Sequence, residues 1–186
     1  MKRNFTSFEA GERNYPDLPS NLRQQLARIP PSVSGSLRYF PCLVRLKDGR
    51  TLDRVYVVEA RSYMTHWGVW PDQDSHKKEV RIEDVAEIHE SPSRLPADFA
   101  TELYRAGESG MGYVVFTVRF SDGTEQSYVT GNAVDFVSLP SGKSGSDIAG
   151  VIPHRERDRA VASNVPYYWC IHGSGTEGHA LTCDEA

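Results

Sequence analysis

Four side chains toward the C-terminal end of the chain are of the types that bind zinc. They are Cys170, His172, His179 and Cys183. Thiolate and imidazole are the preferred ligands of this ion, and the Gly-rich segment 173–178 could fold the two pairs together. Because the Cys-x-His spacing is tighter than that of most zinc sites, a disordered or loosely docked tail is the competing interpretation. The sequence therefore predicts no cofactor, with zinc at these four residues as the alternative.

Three short motifs begin like catalytic or nucleotide-binding signatures and then fail. Residues 107–111 read Gly-Glu-Ser-Gly-Met, but a nucleophile elbow needs glycine at the fifth position and a strand before it. His89-Glu90 lacks the second histidine of a zinc-protease helix, and residues 142–144 lack the glycine that opens a phosphate-binding loop. We therefore predict no catalytic residue and no enzyme. An enzyme whose site is assembled from distant residues remains an alternative, because such a site leaves no local motif.

A cluster of aromatic side chains is the candidate partner-binding site. It comprises Tyr63, His66, Trp67 and Trp70, in a segment that we interpret as a third strand. Side chains alternate across a strand, so Trp67 and Trp70 would point to opposite faces. One interpretation buries one of them and covers the other with the polar loop 71–78. The other leaves an aromatic surface of the kind that anchors protein partners.

A second candidate surface is basic. Arg45, Lys47 and Arg50 surround a predicted hairpin turn, and Tyr56 on the return strand could stack on a base. Arg38, Arg54 and Tyr39 extend the same set. The competing interpretation is a solvated hairpin face, balanced by the acidic residues Asp48, Asp53 and Glu59.

Composition restricts the class of protein. The 186 residues include 21 Lys and Arg against 25 Asp and Glu, a net charge of −4, so nucleic acid is a less favoured partner than protein. No apolar run approaches the roughly 20 residues that span a bilayer, and the first residues do not resemble a signal peptide. Three widely spaced cysteines favour a reducing compartment. We expect a cytoplasmic protein that does not contact a membrane.

Local patterns predict two helices, each followed by β-hairpins. Apolar residues recur at about one helical turn in two segments, with Asp17 placed to cap the first and Gly107 to end the second. Alternating apolar residues then approach Asp48-Gly49 and Asp122-Gly123, which are typical of hairpin turns. The helical positions are Leu18, Leu22, Leu26 and Ile29 in the first segment, and Leu95, Phe99 and Leu103 in the second.

These patterns recur in the same order along the chain. Leu18-Pro19 matches Leu95-Pro96 at an offset of 77 residues, and residues 44–49 match residues 118–123 at an offset of 74. Residues 84–86 match residues 147–149 at an offset of 63. Each match is common by itself, but their collinear order favours duplication of an α-β-β-β-β unit over one irregular α+β domain.

The first unit resembles a small SH3-like or Sm-like barrel. The resemblance consists of the short N-terminal helix, the hairpin on residues 46–50, a bent third strand through Met64, and the closing segments 80–82 and 85–88. Sm-like proteins carry an RNA-binding Asn after this Met and an Ile-Arg-Gly signature in the last strands. Here Thr65 and the acidic pair Glu83-Asp84 stand instead, so the resemblance implies architecture and not RNA binding.

We therefore predict a mostly-β α+β fold in which two duplicated units form strongly bent sheets or barrels that pack together. The predicted boundaries are an N-terminal arm at 1–17, units at 18–92 and 93–156, and a C-terminal tail at 157–186. The predicted function is that of a non-enzymatic protein-binding protein, such as a toxin-neutralising immunity protein or similar accessory regulator. Its acidic balance would speed capture of a basic protein partner.

Overall fold

The computed structural model describes residues 15–74 and 77–174 and confirms a mostly-β α+β fold. In these residues three α-helices accompany two sheets of five and four strands. The helices are α1 (Ser20–Leu26), α2 (Ala60–Trp67) and α3 (Ala97–Ala106). The strands are β1 (Ser32–Ser34), β2 (Leu37–Leu46), β3 (Thr51–Glu59), β4 (Val85–Glu90), β5 (Val114–Phe120), β6 (Glu125–Thr130), β7 (Ile148–Pro153), β8 (Val161–Ala162) and β9 (Tyr168–His172).

The first sheet has the order β1-β2-β3-β9, and β4 also pairs with β2. The second sheet has the order β7-β5-β6-β8. Each is built on an antiparallel hairpin, β2-β3 or β5-β6, whose first strand also pairs with a later antiparallel strand. In each sheet the second hairpin strand carries a parallel partner on its other edge, β9 or β8.

The β2-β3 and β5-β6 hairpins also have the same turn conformation, the same backbone contact beside the turn and the same slip in register. Gly49 and Gly123 have φ values of 89° and 83°, the left-handed region that the predicted Asp-Gly turns require. The Lys47 N–H donates to the Asp84 carbonyl at 2.8 Å, and the Ser121 N–H donates to the Asp147 carbonyl at the same distance. The pairing register slips after Arg45 in the first sheet and after Arg119 in the second. These equivalent positions keep the sequence offsets of 74 and 63 residues.

Several predicted elements are placed differently. The described strands form two open sheets, with no closed barrel among them. The segment around Val80 and Ile82 is a loop and a single 3-10 turn, and pairing with β2 starts only at Val85. Residue Pro19, and not Asp17, occupies the N-cap of α1, which has no side-chain cap.

The predicted third strand was wrong, because residues 60–67 form α2. The Glu59 carboxylate accepts hydrogen bonds from the N–H groups of Arg61 and Ser62 at 2.9 and 2.7 Å, which caps the helix. At the other end Gly68 has φ 71°, and its N–H donates to the Met64 carbonyl. These caps, with Tyr63 packed into the core, outweigh the preference of aromatic residues for strands.

The expected tail at 157–186 contributes strands to both sheets in its described part. β9 pairs with β3 from Val55↔Tyr168 to Glu59↔His172, and Trp169 is only 4% exposed. The aromatic run at 167–169 thus completes the first sheet.

The core has three parts. Helix α1 covers one face of the first sheet and α3 covers the second sheet. The other face of the first sheet carries an aromatic cluster to which α3 and the segment after β6 also contribute: Tyr39 stacks on Tyr104 at 4.9 Å, and Tyr56 contacts Phe136 at 4.8 Å. Across 15–74 and 77–174, none of the helices is both long and apolar enough to cross a membrane.

Candidate functional site

A groove opens where the apolar face under α1 ends. Phe40, Val57 and Cys170 are matched across β2, β3 and β9 and belong to the core under α1. Because side chains alternate along a strand, Arg38 lies on the same face as Phe40, and the pair Glu59↔His172 lies one step beyond Val57↔Cys170. The face therefore changes from apolar to polar at one level across three strands.

The groove has a cavity volume of about 410 Å³. Its floor is apolar, with Leu18 and Leu26 from α1 and its approach and Phe40 from β2. Its polar boundary consists of Arg23, Ser36, Arg38, Glu59, Ser62, His172 and Ser174. An apolar cavity with a few convergent polar groups is the usual form of a binding site.

Two guanidinium groups beside the groove are free to bind a ligand. Arg23 and Arg38 are exposed and form no ion pair with any residue in the described ranges. Among the described residues, the only side-chain hydrogen bond of Arg23 is a long one, 3.4 Å from Nη2 to the Leu18 carbonyl. Both charges can therefore receive an anion without first breaking an internal ion pair.

The acidic residue of the groove, Glu59, already accepts hydrogen bonds from its neighbours. Burial alone would raise the pKa of Glu59, but hydrogen bonds from the Ser62 hydroxyl and from the N–H groups of Arg61 and Ser62 outweigh burial and hold that pKa below its usual value. The carboxylate therefore stays charged while its oxygens serve the cap of α2.

His172 presents a neutral ring to the groove. Burial lowers its pKa below the ordinary value of 6.5, so the ring is uncharged at neutral pH. Its Nδ1 lies 2.8 Å from the Gly173 carbonyl. Since a carbonyl only accepts, Nδ1 carries the proton and Nε2 is left as an acceptor.

The structure brings the four predicted aromatic residues to one region but does not expose them equally. Tyr63 is fully buried, whereas His66, Trp67 and Trp70 are half-buried. Trp70 stacks on Tyr15 with ring centroids 5.9 Å apart. His66 and Trp67 line a smaller cavity of about 130 Å³ between α2 and α3. The aromatic residues are thus largely core, with a partly exposed margin.

Lys77 is held over this aromatic cluster. Its Nζ lies 4.2 Å from the ring centroids of both Tyr63 and Trp169, and 3.2 Å from a carboxylate oxygen of Asp74. Burial nevertheless lowers the pKa of Lys77 to about 8, from an ordinary 10.5. Lys77 therefore attaches the segment after α2 to the aromatic core.

This pKa predicts a pH dependence of stability that Lys77→Met should abolish. Between pH 8 and 10 the unfolded chain keeps the lysine proton while the folded chain releases it, so the contribution of Lys77 to the free energy of unfolding rises with pH. Because the buried thiol of Cys170 has the opposite dependence in this range, the measured quantity is the difference in free energy of unfolding between the natural protein and Lys77→Met, by urea unfolding at pH 7.5, 8.5 and 9.5. This difference should rise with pH, the corresponding difference for Lys78→Met, at an exposed neighbour, should not, and equal pH dependence of the natural protein and Lys77→Met would contradict the prediction.

The predicted basic surface is only partly assembled. Arg45 pairs with Glu87, and Arg50 pairs with Asp48, while Lys47 is exposed. Tyr56 is 0% exposed and donates to Asp135, so it is inaccessible to a base. The hairpin face therefore lacks the stacking residue that the nucleic-acid hypothesis assigned to it.

The structure describes two of the four predicted zinc ligands, Cys170 and His172. Cys170 is buried in the core, and burial raises its pKa to about 12, whereas His172 faces the groove. His179 and Cys183 lie outside the described residues. Within the described ranges no group of three or more metal-binding side chains is assembled.

Sequence reasoning missed Glu59, Ser62 and Arg23 as members of one site. The sequence did contain a signal for this site. On one face of β2, β3 and β9 the alternating apolar residues give way to polar residues at Arg38, Glu59 and His172. That signal has meaning only when the three strands are known to be neighbours.

Comparison of the chain with protein families, with curated proteins and with solved structures gives no match. The structure therefore defines the class of this protein by itself: a mostly-β α+β protein with an open groove and, beside it, two arginines that form no ion pair within the described residues.

Proposed function

We propose that this chain is a protein-binding protein and that its groove receives a segment of the partner. The observation that carries the proposal is the pair of free guanidiniums, Arg23 and Arg38, beside an apolar floor. Large apolar side chains seated in a pocket and flanked by charged contacts supply much of the energy of protein interfaces.

The chemistry of the groove favours a particular kind of segment. A cavity of about 410 Å³ accepts one or two large apolar side chains, and a carboxylate beside them can form bidentate hydrogen bonds with an arginine. The acidic net charge led us to expect a basic partner as a whole. At this contact, however, an acidic group on the partner is favoured.

A segment that is present in only one copy of the proposed duplicated α-β-β-β-β unit is a candidate for an interaction role. We propose that both halves derive from one SH3-like ancestral unit, because their hairpin turns and register slips correspond at an offset of 74 residues. In the first half the connection that contains α2 is 11 residues longer than its counterpart, since the offset falls from 74 to 63. Helix α2 contributes Ser62 to the groove and His66 and Trp67 to the smaller cavity.

Within the protein-binding class, we propose a toxin-neutralising immunity protein or a similar accessory regulator as the particular role. The net charge of −4 supports it, because charge complementarity speeds the capture of a basic partner.

Affinity capture from the native host, followed by mass spectrometry, tests the proposal. A partner recovered with the natural protein should be lost with the double variant Arg23→Glu/Arg38→Glu. A hydrogen bond to a charged group contributes about 1.5–3 kcal/mol, so we expect affinity to fall at least about tenfold. Arg28→Glu, a reversal just after α1 at an exposed arginine outside the groove, is the matched control.

Two outcomes would count against the groove. A partner list that is unchanged in the double variant removes the groove from the interaction. A partner that is retained by the double variant but lost on Trp70→Ala assigns the binding to the aromatic margin instead.

A further inference from the structure

A serine and a histidine that are distant in sequence meet beside the N-terminal end of β5. Ser109 Oγ lies 2.8 Å from Nδ1 of His154, although 45 residues separate them. Neither residue contributes to the groove or to the aromatic cluster. Ser109 belongs to the loop between α3 and β5, and His154 directly follows β7.

The second ring nitrogen of His154 fixes its tautomer. Nε2 lies 3.2 Å from the Ala106 carbonyl oxygen. A carbonyl only accepts, so Nε2 carries the proton and Nδ1 presents its lone pair to Ser109. The Ser109 hydroxyl therefore donates to a base that a third group orients, which is the arrangement of an activated nucleophile.

The backbone fixes both side chains in place. The Val115 N–H donates to Ser109 Oγ at 2.7 Å, and the His154 N–H donates to the Val115 carbonyl at 2.7 Å. The alternative acceptor for the hydroxyl, the Val115 carbonyl, is more distant at 3.3 Å. The Val115 N–H thus fixes the position of Ser109 Oγ, and the Val115 carbonyl holds the backbone of His154 beside it.

Two local features are unusual for a purely structural contact. His154 has φ 60°, a left-handed conformation that is strained for a non-glycine residue and that often occurs at functional sites. A Cβ at Gly110 would lie 2.3 Å from the Tyr113 hydroxyl, so a larger residue after Ser109 would force the Tyr113 side chain to move. His154 is exposed and Ser109 is half-buried, so a small reagent can reach the pair.

We propose that Ser109 is a nucleophile toward small activated acyl esters, with His154 as its general base. In the first step Oγ forms a bond to the acyl carbon while its proton passes to Nδ1 of His154. The bond from the acyl carbon to the leaving oxygen then breaks, and that oxygen takes the proton. Water attacks the acyl-serine in the second step, releases the carboxylic acid and restores the hydroxyl. This activity is independent of the proposed protein binding.

Labelling of the full chain with a fluorophosphonate probe tests the assignment. The probe should modify Ser109, displacing fluoride, as located by peptide mass spectrometry, and it should leave the exposed Ser121 unmodified. A general base contributes roughly 10²–10⁴-fold to such a step. His154→Gln, which retains a polar planar side chain, should therefore lower the labelling rate by at least about 100-fold, and Ser109→Ala should abolish labelling.

Circular dichroism and thermal unfolding of both variants establish that they are folded. Hydrolysis of p-nitrophenyl acetate by the natural protein should fall in parallel with labelling in His154→Gln. Failure of the probe to modify Ser109 in the natural protein would overturn the proposal. An unchanged labelling rate in folded His154→Gln would also overturn it, because the pair would then be only a structural link between the loop and β7.

Discussion

Asp135→Ala should lower the free energy of unfolding by about 3–5 kcal/mol, since removing one partner of a buried charged network leaves the others unsatisfied. Asp135 is 0% exposed. Its carboxylate accepts hydrogen bonds from the Tyr104 hydroxyl at 2.7 Å, from the Tyr56 hydroxyl at 3.2 Å, and from Ser32. Urea denaturation measures the loss directly.

The network around Asp135 joins the two halves of the molecule. Arg94, whose side chain is 4% exposed, places Nη2 3.9 Å from Asp135 and also donates to the Ser32 hydroxyl and the Pro30 carbonyl. Removing the carboxylate would leave the hydroxyls of Tyr56, Tyr104 and Ser32 short of an acceptor and would remove a negative charge near the buried guanidinium. Asp135→Asn keeps one acceptor oxygen and should cost less than Asp135→Ala.

The same carboxylate predicts the sign of a pH effect. Burial raises the pKa of Asp135 above its ordinary value of 3.8, although hydrogen bonds and Arg94 oppose the shift. Just above pH 3.8 the folded state thus binds more protons than the unfolded state, and stability relative to Asp135→Asn falls as pH rises through the shifted pKa.

Asp158→Ala, at an exposed aspartate, is the control for Asp135→Ala. A loss below about 1 kcal/mol on Asp135→Ala would show that the network does not join the halves.

Trp169→Ala should be comparably destabilising, by roughly 3–5 kcal/mol, because it empties the centre of the aromatic cluster. Trp169 stacks on Tyr56 at 5.0 Å and meets Tyr63 edge-on at 5.5 Å. It also belongs to β9, so the same measurement tests whether the chain after residue 157 is part of the folded core. A loss near zero would assign this segment to a loosely docked tail.

A second substitution separates packing from hydrogen bonding at Trp169. Its indole Nε1 is buried and has no hydrogen-bond partner in the described part of the chain, so Trp169→Phe sacrifices no hydrogen bond seen there and should cost much less than Trp169→Ala. Trp70→Ala serves as the surface control, because Trp70 is only half-buried. Thermal unfolding of the three variants under one condition gives the comparison.

The elements that sequence reasoning predicted correctly depend on neighbouring residues. The hairpin turns follow from Asp-Gly, because only a few residues adopt positive φ without strain. Helices α1 and α3 follow from apolar residues one turn apart, and Gly107 ends α3 as predicted. The apolar positions of β2 and β5 alternate in the sequence and are buried in the structure.

Helix α2 shows where local reasoning failed. Its aromatic residues favour a strand locally, and the sequence alone predicts one. The capping carboxylate of Glu59 and the left-handed Gly68 were visible in the sequence, but their effect depends on Tyr63 fitting against Trp169. That contact spans more than 100 residues, and no local pattern contains it.

The sequence by itself determined the mostly-β composition of elements, both hairpins, two of the three described helices and the order of the corresponding segments. The tertiary structure alone decided that β9 lies beside β3, that Arg38, Glu59 and His172 share one groove, and that Ser109 meets His154. The physical reason is the range of the interactions. Turn conformations and helical periodicity are set within a few residues, whereas a binding groove or a hydrogen-bonded pair exists only after distant segments have packed together.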